Sequence, residues 1–160
     1  MAQLDPAEKA ATLARLAEAF THYVPHNRAL DLRLEDFGDG MALFRLPYAE
    51  HLVGNPETGV LHGGVITTLL DATAGASVFM KTWKPVPVAT LDLRIDYLKP
   101  ATPKRDVLAK ATCYKLTKSV AFIRAVAYHD DENDLIASAA GTFMFSAKGR
   151  SVVEQAGGAK

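Results

Sequence analysis

Between His62 and Lys81 the chain reads HGGVITTLLDATAGASVFMK, and inside those ends Asp71 is the only charged residue. A helix that is apolar on nearly every face is a buried helix. At ~20 residues it is about 30 Å long, enough to cross a small domain, so the rest of the chain has to supply a surface that encloses it. Downstream, beyond Pro85 and Pro87, four strands are expected, at roughly 88–98, 107–116, 119–129 and 135–145. In the first of them Leu91, Leu93, Ile95 and Tyr97 alternate with Asp92, Arg94 and Asp96, the period of a half-buried antiparallel strand. The polar links 99–103 and 130–134 suit hairpins.

Upstream, residues 48–60 hold Gly54, Asn55, Pro56 and Gly59 and predict an irregular loop. Residues 29–47 read as a hairpin around Phe37-Gly38-Asp39-Gly40. The chain starts with a helix: Asp5 caps it, Pro6 suits its first position, and Glu8 completes a capping box. Leu13, Leu16, Ala17 and Phe20 form its apolar face, and Pro25 limits its extent. The sum is an α+β domain, one curved antiparallel sheet wrapped around the long helix. We expect a helical extension over 1–27, the domain proper over 28–147 and a flexible tail over 148–160.

The 160 residues are of single-domain size, and 18 basic groups balance 18 acidic ones. That neutrality argues against a general nucleic-acid binder and suits self-association. The single cysteine, Cys113, excludes a disulfide framework and fits a reducing compartment. With no secretory signal pattern and no run of about 18 consecutive apolar residues, a cytoplasmic protein without membrane partners is expected. Basic residues cluster in 99–118, where Lys99, Lys104, Arg105, Lys110, Lys115 and Lys118 face one acid, Asp106. Such a patch suits a phosphorylated ligand, although for any single lysine a solvated strand face is the stronger reading.

Three places carry candidate chemistry. Gly63 and Gly64 leave backbone N–H groups open at a helix N-terminus, which favours an anion or a developing oxyanion; glycines that merely ease a loop into a helix look the same. Asp71 sits in apolar surroundings, where a carboxylate is costly unless paired, and so is suited to act as a base or nucleophile. Its bland alternatives are a bond to Thr67 or Thr68 one turn earlier, or exposure at a bend near Gly75. Asn55 is either a donor to a substrate carbonyl or a turn residue before Pro56, and His62 more naturally organises the loop than acts as an acid or base. The histidines and Cys113 lack zinc-ligand spacing, so no metal is expected. Asp71 lies eight residues beyond Gly63, about 12 Å along the axis, too far for both to serve one carbonyl within ~3 Å reach. If they cooperate, the second group comes from another subunit, as a two-fold dimer allows.

The run Gly54-Asn55-Pro56, then Gly59-Val60-Leu61-His62-Gly63-Gly64-Val65 and Leu69-Leu70-Asp71, resembles the signature of hotdog-fold acyl-CoA thioesterases of the PaaI type. Thr90-Leu91-Asp92-Leu93 and Tyr97-Leu98-Lys99-Pro100-Ala101 resemble that family's strand after the central helix. The likeness covers about residues 28–147 and leaves out the N-terminal helix. It implies cofactor-free hydrolysis of a medium-chain fatty or aromatic acyl-CoA, at sites shared within a homodimer or a dimer of dimers. By position it makes Asp71 the general base or nucleophile, Gly63 N–H the oxyanion donor, and Asn55 an assisting donor. Thr90 then helps place water, and His62 and Gly64 shape the loop. A non-catalytic acyl-CoA sensor and a hotdog hydratase or dehydratase are the competing readings.

Overall fold

The computed structural model describes residues 5–84 and 86–146; the expected tail over 148–160 lies outside the described residues. The N-terminal helix α1 (Pro6–Ala17) opens with the expected capping box: Asp5 Oδ1 accepts from Ala7 N–H at 2.8 Å and Glu8 N–H at 2.9 Å. It does not simply stop before Pro25. A π-helical turn, Glu18–His22, continues it, and Pro25 then starts a second short helix, α2 (Pro25–Ala29), at the first position that proline favours.

The hairpin β1 (Arg33–Gly38) and β2 (Met41–Leu46) follows, turning at Gly40 with φ 66°. The expected irregular loop is more ordered than its composition suggested: a 3₁₀ turn, Glu50–Leu52, leads into a small hairpin of β3 (Val53–Asn55) and β4 (Val60–Leu61). The long helix α3 (Gly63–Thr82) comes next, then β5 (Val88–Tyr97), β6 (Val107–Leu116), β7 (Val120–Tyr128) and β8 (Leu135–Phe145). The six long strands form one antiparallel sheet in the order β1-β2-β6-β7-β8-β5.

Helix α3 touches all six strands, which is the hotdog arrangement. Alanines on the inner face of β6 and β7, among them Ala109, Ala111, Ala121 and Ala125, are buried and let the helix lie close, while Phe44, Ile123 and Phe143 fill the space around it. Thr73 and Ser77 are buried within α3, and each hydroxyl donates to a carbonyl of its own helix, Leu69 O and Ala74 O, both at 2.7 Å. The helix is long and apolar enough to span a membrane, but its buried side chains are spent on the sheet. It ends at Trp83, whose left-handed backbone (φ 49°) lets its N–H reach Phe79 O and whose ring stacks on Phe37.

The two sheet edges differ. Helix α1 packs against edge strand β1, and Lys9 pairs with Asp36 there. Among the described residues, strand β5, ten residues long, pairs with β8 on one side only and leaves Leu91 56% and Tyr97 50% exposed. A long uncovered edge with apolar side chains is a template for another strand.

Candidate active site

At the start of α3, His62, Gly63 and Gly64 form one unit. His62 is the N-cap: its Nδ1 accepts from Gly64 N–H at 2.9 Å, the loop-organising role expected of it. A Cβ on Gly64 would lie 2.9 Å from that same nitrogen, so the cap needs glycine there. Gly54 serves the same end, since a Cβ on it would meet His62 Cα at 2.8 Å. Gly63 occupies the first helical position, where an N–H has no partner inside the helix. Its carbonyl is braced instead, accepting from Tyr97 Oη–H at 2.8 Å, and Tyr97 Oη also contacts Thr67 Oγ1 at 2.7 Å. Asn55 is an exposed turn residue: its Oδ1 accepts from Glu57 N–H at 3.0 Å and its carbonyl from Gly59 N–H at 2.8 Å.

Asp71 belongs to a second unit. Thr90 Oγ1 donates to Asp71 Oδ1 at 2.7 Å, so the partner of the carboxylate lies on β5 and not at Thr67 or Thr68. Those two hydroxyls donate to Gly63 O and Gly64 O. The bond to Thr90 depends on a β-bulge. Pairing with β8 slips between Thr90 and Asp92, leaving Leu91 as the extra residue, and a bulge re-aims the side chains beside it. Across from it, a Cβ on Gly141 would sit 2.6 Å from Asp92 O, so the strands close around the bulge only because residue 141 has no side chain.

Asp71 is half-buried rather than sealed in the core. It stands in the wall of a cavity of about 420 Å³, together with Thr90 and the apolar side chains of Phe20, Phe79, Val88 and Phe143. One carboxylate oxygen is held by Thr90, and the other has no bond to the described residues and is available to a water or a substrate. Of the apolar residues near α3, Phe79 lines this cavity while Leu69 and Met80 belong to the core. Phe20, Val24, His26 and Asn27, which come from the N-terminal extension, are lining residues that helical periodicity could not reveal.

Gly63 opens on a separate recess, also about 420 Å³, which Tyr97, Lys99 and Ile136 share. One chain therefore brings Asp71 and Thr90 together, and His62, Gly63 and Gly64 together, with Asn55 at the preceding turn, but Asp71 and Gly63 open on different cavities. The basic stretch is only partly available: Lys99, Arg105 and Lys110 pair with Asp134, Asp130 and Glu132 of the acidic turn before β8. Burial pushes the Cys113 thiol up, which suits packing rather than attack. Among the described residues, no group of three or more His, Cys, Asp or Glu side chains is placed to hold a metal.

Residues 58–136 match the family model described as "Thioesterase superfamily". The medium/long-chain acyl-CoA thioesterase YigI of Escherichia coli K12 is 32% identical over 145 residues, covering 82% of this chain and 92% of that one. A Pseudomonas aeruginosa protein of known crystal structure is 44% identical, with a TM-score of 0.74 over 82% of this chain and 97% of its own. A mutant of the phenylacetic acid degradation protein PaaI of Thermus thermophilus shares the fold, with a TM-score of 0.65, 24% identity and coverage of 75% and 97%.

Proposed function

Because the chain belongs to the thioesterase superfamily and is a hotdog-fold acyl-CoA thioesterase, we propose that it is of the PaaI type and hydrolyses medium-chain fatty or aromatic acyl-CoA to the free acid and CoA, at sites that two copies build together. The observation that carries the assignment is the Asp71–Thr90 pair, a carboxylate held at one oxygen and open at the other on the wall of an apolar cavity. With Asp71 as general base, water attacks the thioester carbon as its proton passes to the free carboxylate oxygen. The oxyanion settles on Gly63 N–H of the second subunit. Collapse breaks the C–S bond, and the proton on Asp71 moves to the leaving sulfur. With Asp71 as nucleophile, the same carboxylate attacks the carbon and expels CoA thiolate; water then cleaves the mixed anhydride to the free acid and Asp71, and the proton released goes to the thiolate. Either route uses the same two groups. Asn55, from the loop before Gly63, assists at the carbonyl, His62 and Gly64 hold the loop, and Thr90 orients Asp71 and its water.

The edge strand supports the shared site and suggests its register. Thr90, bonded to Asp71, and Tyr97, bonded to Gly63 O, stand near opposite ends of β5. A two-fold antiparallel pairing of β5 with its copy, centred on Leu93, sets Asp92 opposite Arg94 twice. It also brings the Thr90 end of one strand to the Tyr97 end of the other. Centring on Arg94 would oppose Asp92 to Asp96 and Arg94 to itself, which like-charge repulsion disfavours. Centring on Ile95 would leave half of the strand unpaired. In the Leu93 register the oxyanion donor of one copy approaches the carboxylate of the other, and the exposed edge is covered. Such dimers can associate further into a dimer of dimers. The cytoplasm, with its acyl-CoA and reduced thiols, is the setting we assign.

Free-thiol release from a panel of acyl-CoAs tests the assignment. Asp71→Ala is expected to lower kcat by about 10²- to 10⁴-fold; wild-type turnover in that variant would refute the role of Asp71. Binding of the panel without hydrolysis by the wild type would instead point to an acyl-CoA sensor. Mixing Asp71→Ala with a dead Gly63 variant in equal amounts is expected to restore about a quarter of wild-type activity, because half the dimers then carry one intact site. Heterodimers that form and stay inactive would rule out the shared site.

A further inference from the structure

We propose that the N-terminal extension is the chain-length gauge of this enzyme, with Phe20 and Val24 setting how long a straight-chain acyl group the Asp71 cavity accepts. The inference rests on the reading of that cavity as the acyl site. The cavity follows one stripe of α3 from Asp71 through Gly75 to Phe79. Those positions span about 12 Å at 1.5 Å per residue, the extended length of roughly eight to ten acyl carbons.

The extension lies along this stripe in the opposite direction. Near the carboxylate, His26 Nε2 contacts Thr68 Oγ1 at 3.4 Å. At the far end the Phe20 ring packs edge-on against Phe79, with centroids 5.4 Å apart. Val24 lies between them in the chain and also lines the cavity.

The π-helical turn explains how Phe20 gets there. In it Ala19, Phe20 and Thr21 are buried in succession, which a regular surface helix does not do. The Thr21 hydroxyl donates to Ala17 O, four residues back. Buried Asn27 then donates through Nδ2 to Phe20 O at 2.6 Å, fixing the backbone of the residue that closes the cavity. Such turns inside helices are frequent at functional sites. The whole device lies before residues 58–136, the stretch that matches the family model.

The test compares kcat/KM for butanoyl-, octanoyl- and dodecanoyl-CoA in the wild type and in Phe20→Ala, Val24→Phe and Gly75→Val. Phe20→Ala is expected to raise the dodecanoyl-to-octanoyl ratio about tenfold, the worth of one to two further buried methylenes at roughly fourfold (~0.8 kcal/mol) each. Val24→Phe, at a half-buried position, fills the cavity from the extension side and is expected to lower the octanoyl-to-butanoyl ratio by a similar factor. Gly75→Val fills it from the helix side, where a Cβ meets Phe143 at an ordinary 3.8 Å. If Gly75→Val shifts the profile while Phe20→Ala and Val24→Phe leave it unchanged, the cavity is the acyl site and the extension is not its gauge. Should Phe20→Ala fail to fold, an unchanged profile in Val24→Phe overturns the proposal. A wild type that hydrolyses none of the three overturns the functional reading and the gauge with it.

Discussion

Replacing Gly63 by proline deletes one hydrogen-bond donor with little else disturbed. Gly63 is the first residue of α3, where proline is favoured and where the N–H has no helical partner to lose. The preceding residue, His62, already has φ −64° and ψ 135°, the extended conformation that a following proline demands. A Cβ at residue 63 meets the Tyr97 ring at 3.6–3.8 Å, ordinary contact distances. Folding stability is therefore expected to hold or to rise by about 0.4–1 kcal/mol, through the smaller entropy of the unfolded chain. Activity is expected to move the other way: losing an oxyanion donor costs about 2.7–4 kcal/mol in the transition state, or 10²- to 10³-fold in kcat. KM should change little, because the bond strengthens only as charge develops on oxygen. Gly63→Ala keeps the N–H and should lose less than about tenfold. Thiol-release kinetics with octanoyl-CoA, beside urea denaturation of the same samples, give both quantities. A stable Gly63→Pro protein with wild-type kcat would refute the oxyanion assignment.

Thr90→Val removes the hydroxyl that holds Asp71 Oδ1 and keeps the β-branched shape; we expect kcat to fall about tenfold or more with stability within about 1 kcal/mol, read from the same two assays. Gly141→Ala forces β5 and β8 apart at the bulge and should destabilise by about 1–3 kcal/mol in urea while also lowering kcat, because Thr90 moves with the strand. Lys99 beside Asp134 holds that carboxyl below its ordinary value of 3.8, so the pair stabilises the fold above that pH and the contribution is lost as the pH falls through the depressed value. The Tm gap between wild type and Lys99→Gln should thus be present at neutral pH, close as the pH falls below the depressed value, and narrow in high salt, since Asp134 is largely exposed.

The fold was legible where hydrophobic pattern alone decides structure. An almost uncharged twenty-residue helix has to be enclosed, and the alternation in 91–97 names a strand able to help enclose it. The loop over 48–60 was not legible as a hairpin, because two short strands leave no periodicity and what fixes them is the close approach of Gly54 to the His62 backbone. Asp71 stood out as a lone charge in an apolar run, yet its partner did not. Thr90 reaches it through a one-residue slip in pairing, and the sign of that slip is a glycine on another strand, Gly141. The extension's share of the cavity was hidden for a related reason. A π-helical turn breaks the 3.6-residue period on which a prediction of facing residues depends. The pairing of Lys99, Arg105 and Lys110 was not legible, because charge balance along a chain says nothing of the acidic turn that folds back onto the basic stretch.

The order in which the chain is synthesised gives α3 a further consequence. Its enclosing surface is mostly encoded after it: β5, β6, β7 and β8 follow the helix, and only β1 and β2 precede it. During translation a twenty-residue segment apolar enough to span a bilayer emerges while most of the sheet that will cover it has yet to be made. Hairpin β1–β2 cannot join the rest of the sheet until β6 arrives to pair with β2, so closure waits on a long-range contact of the kind that folds slowly. The helix that presents both Gly63 and Asp71 is thus the segment of the nascent chain most exposed to aggregation and to capture by chaperones.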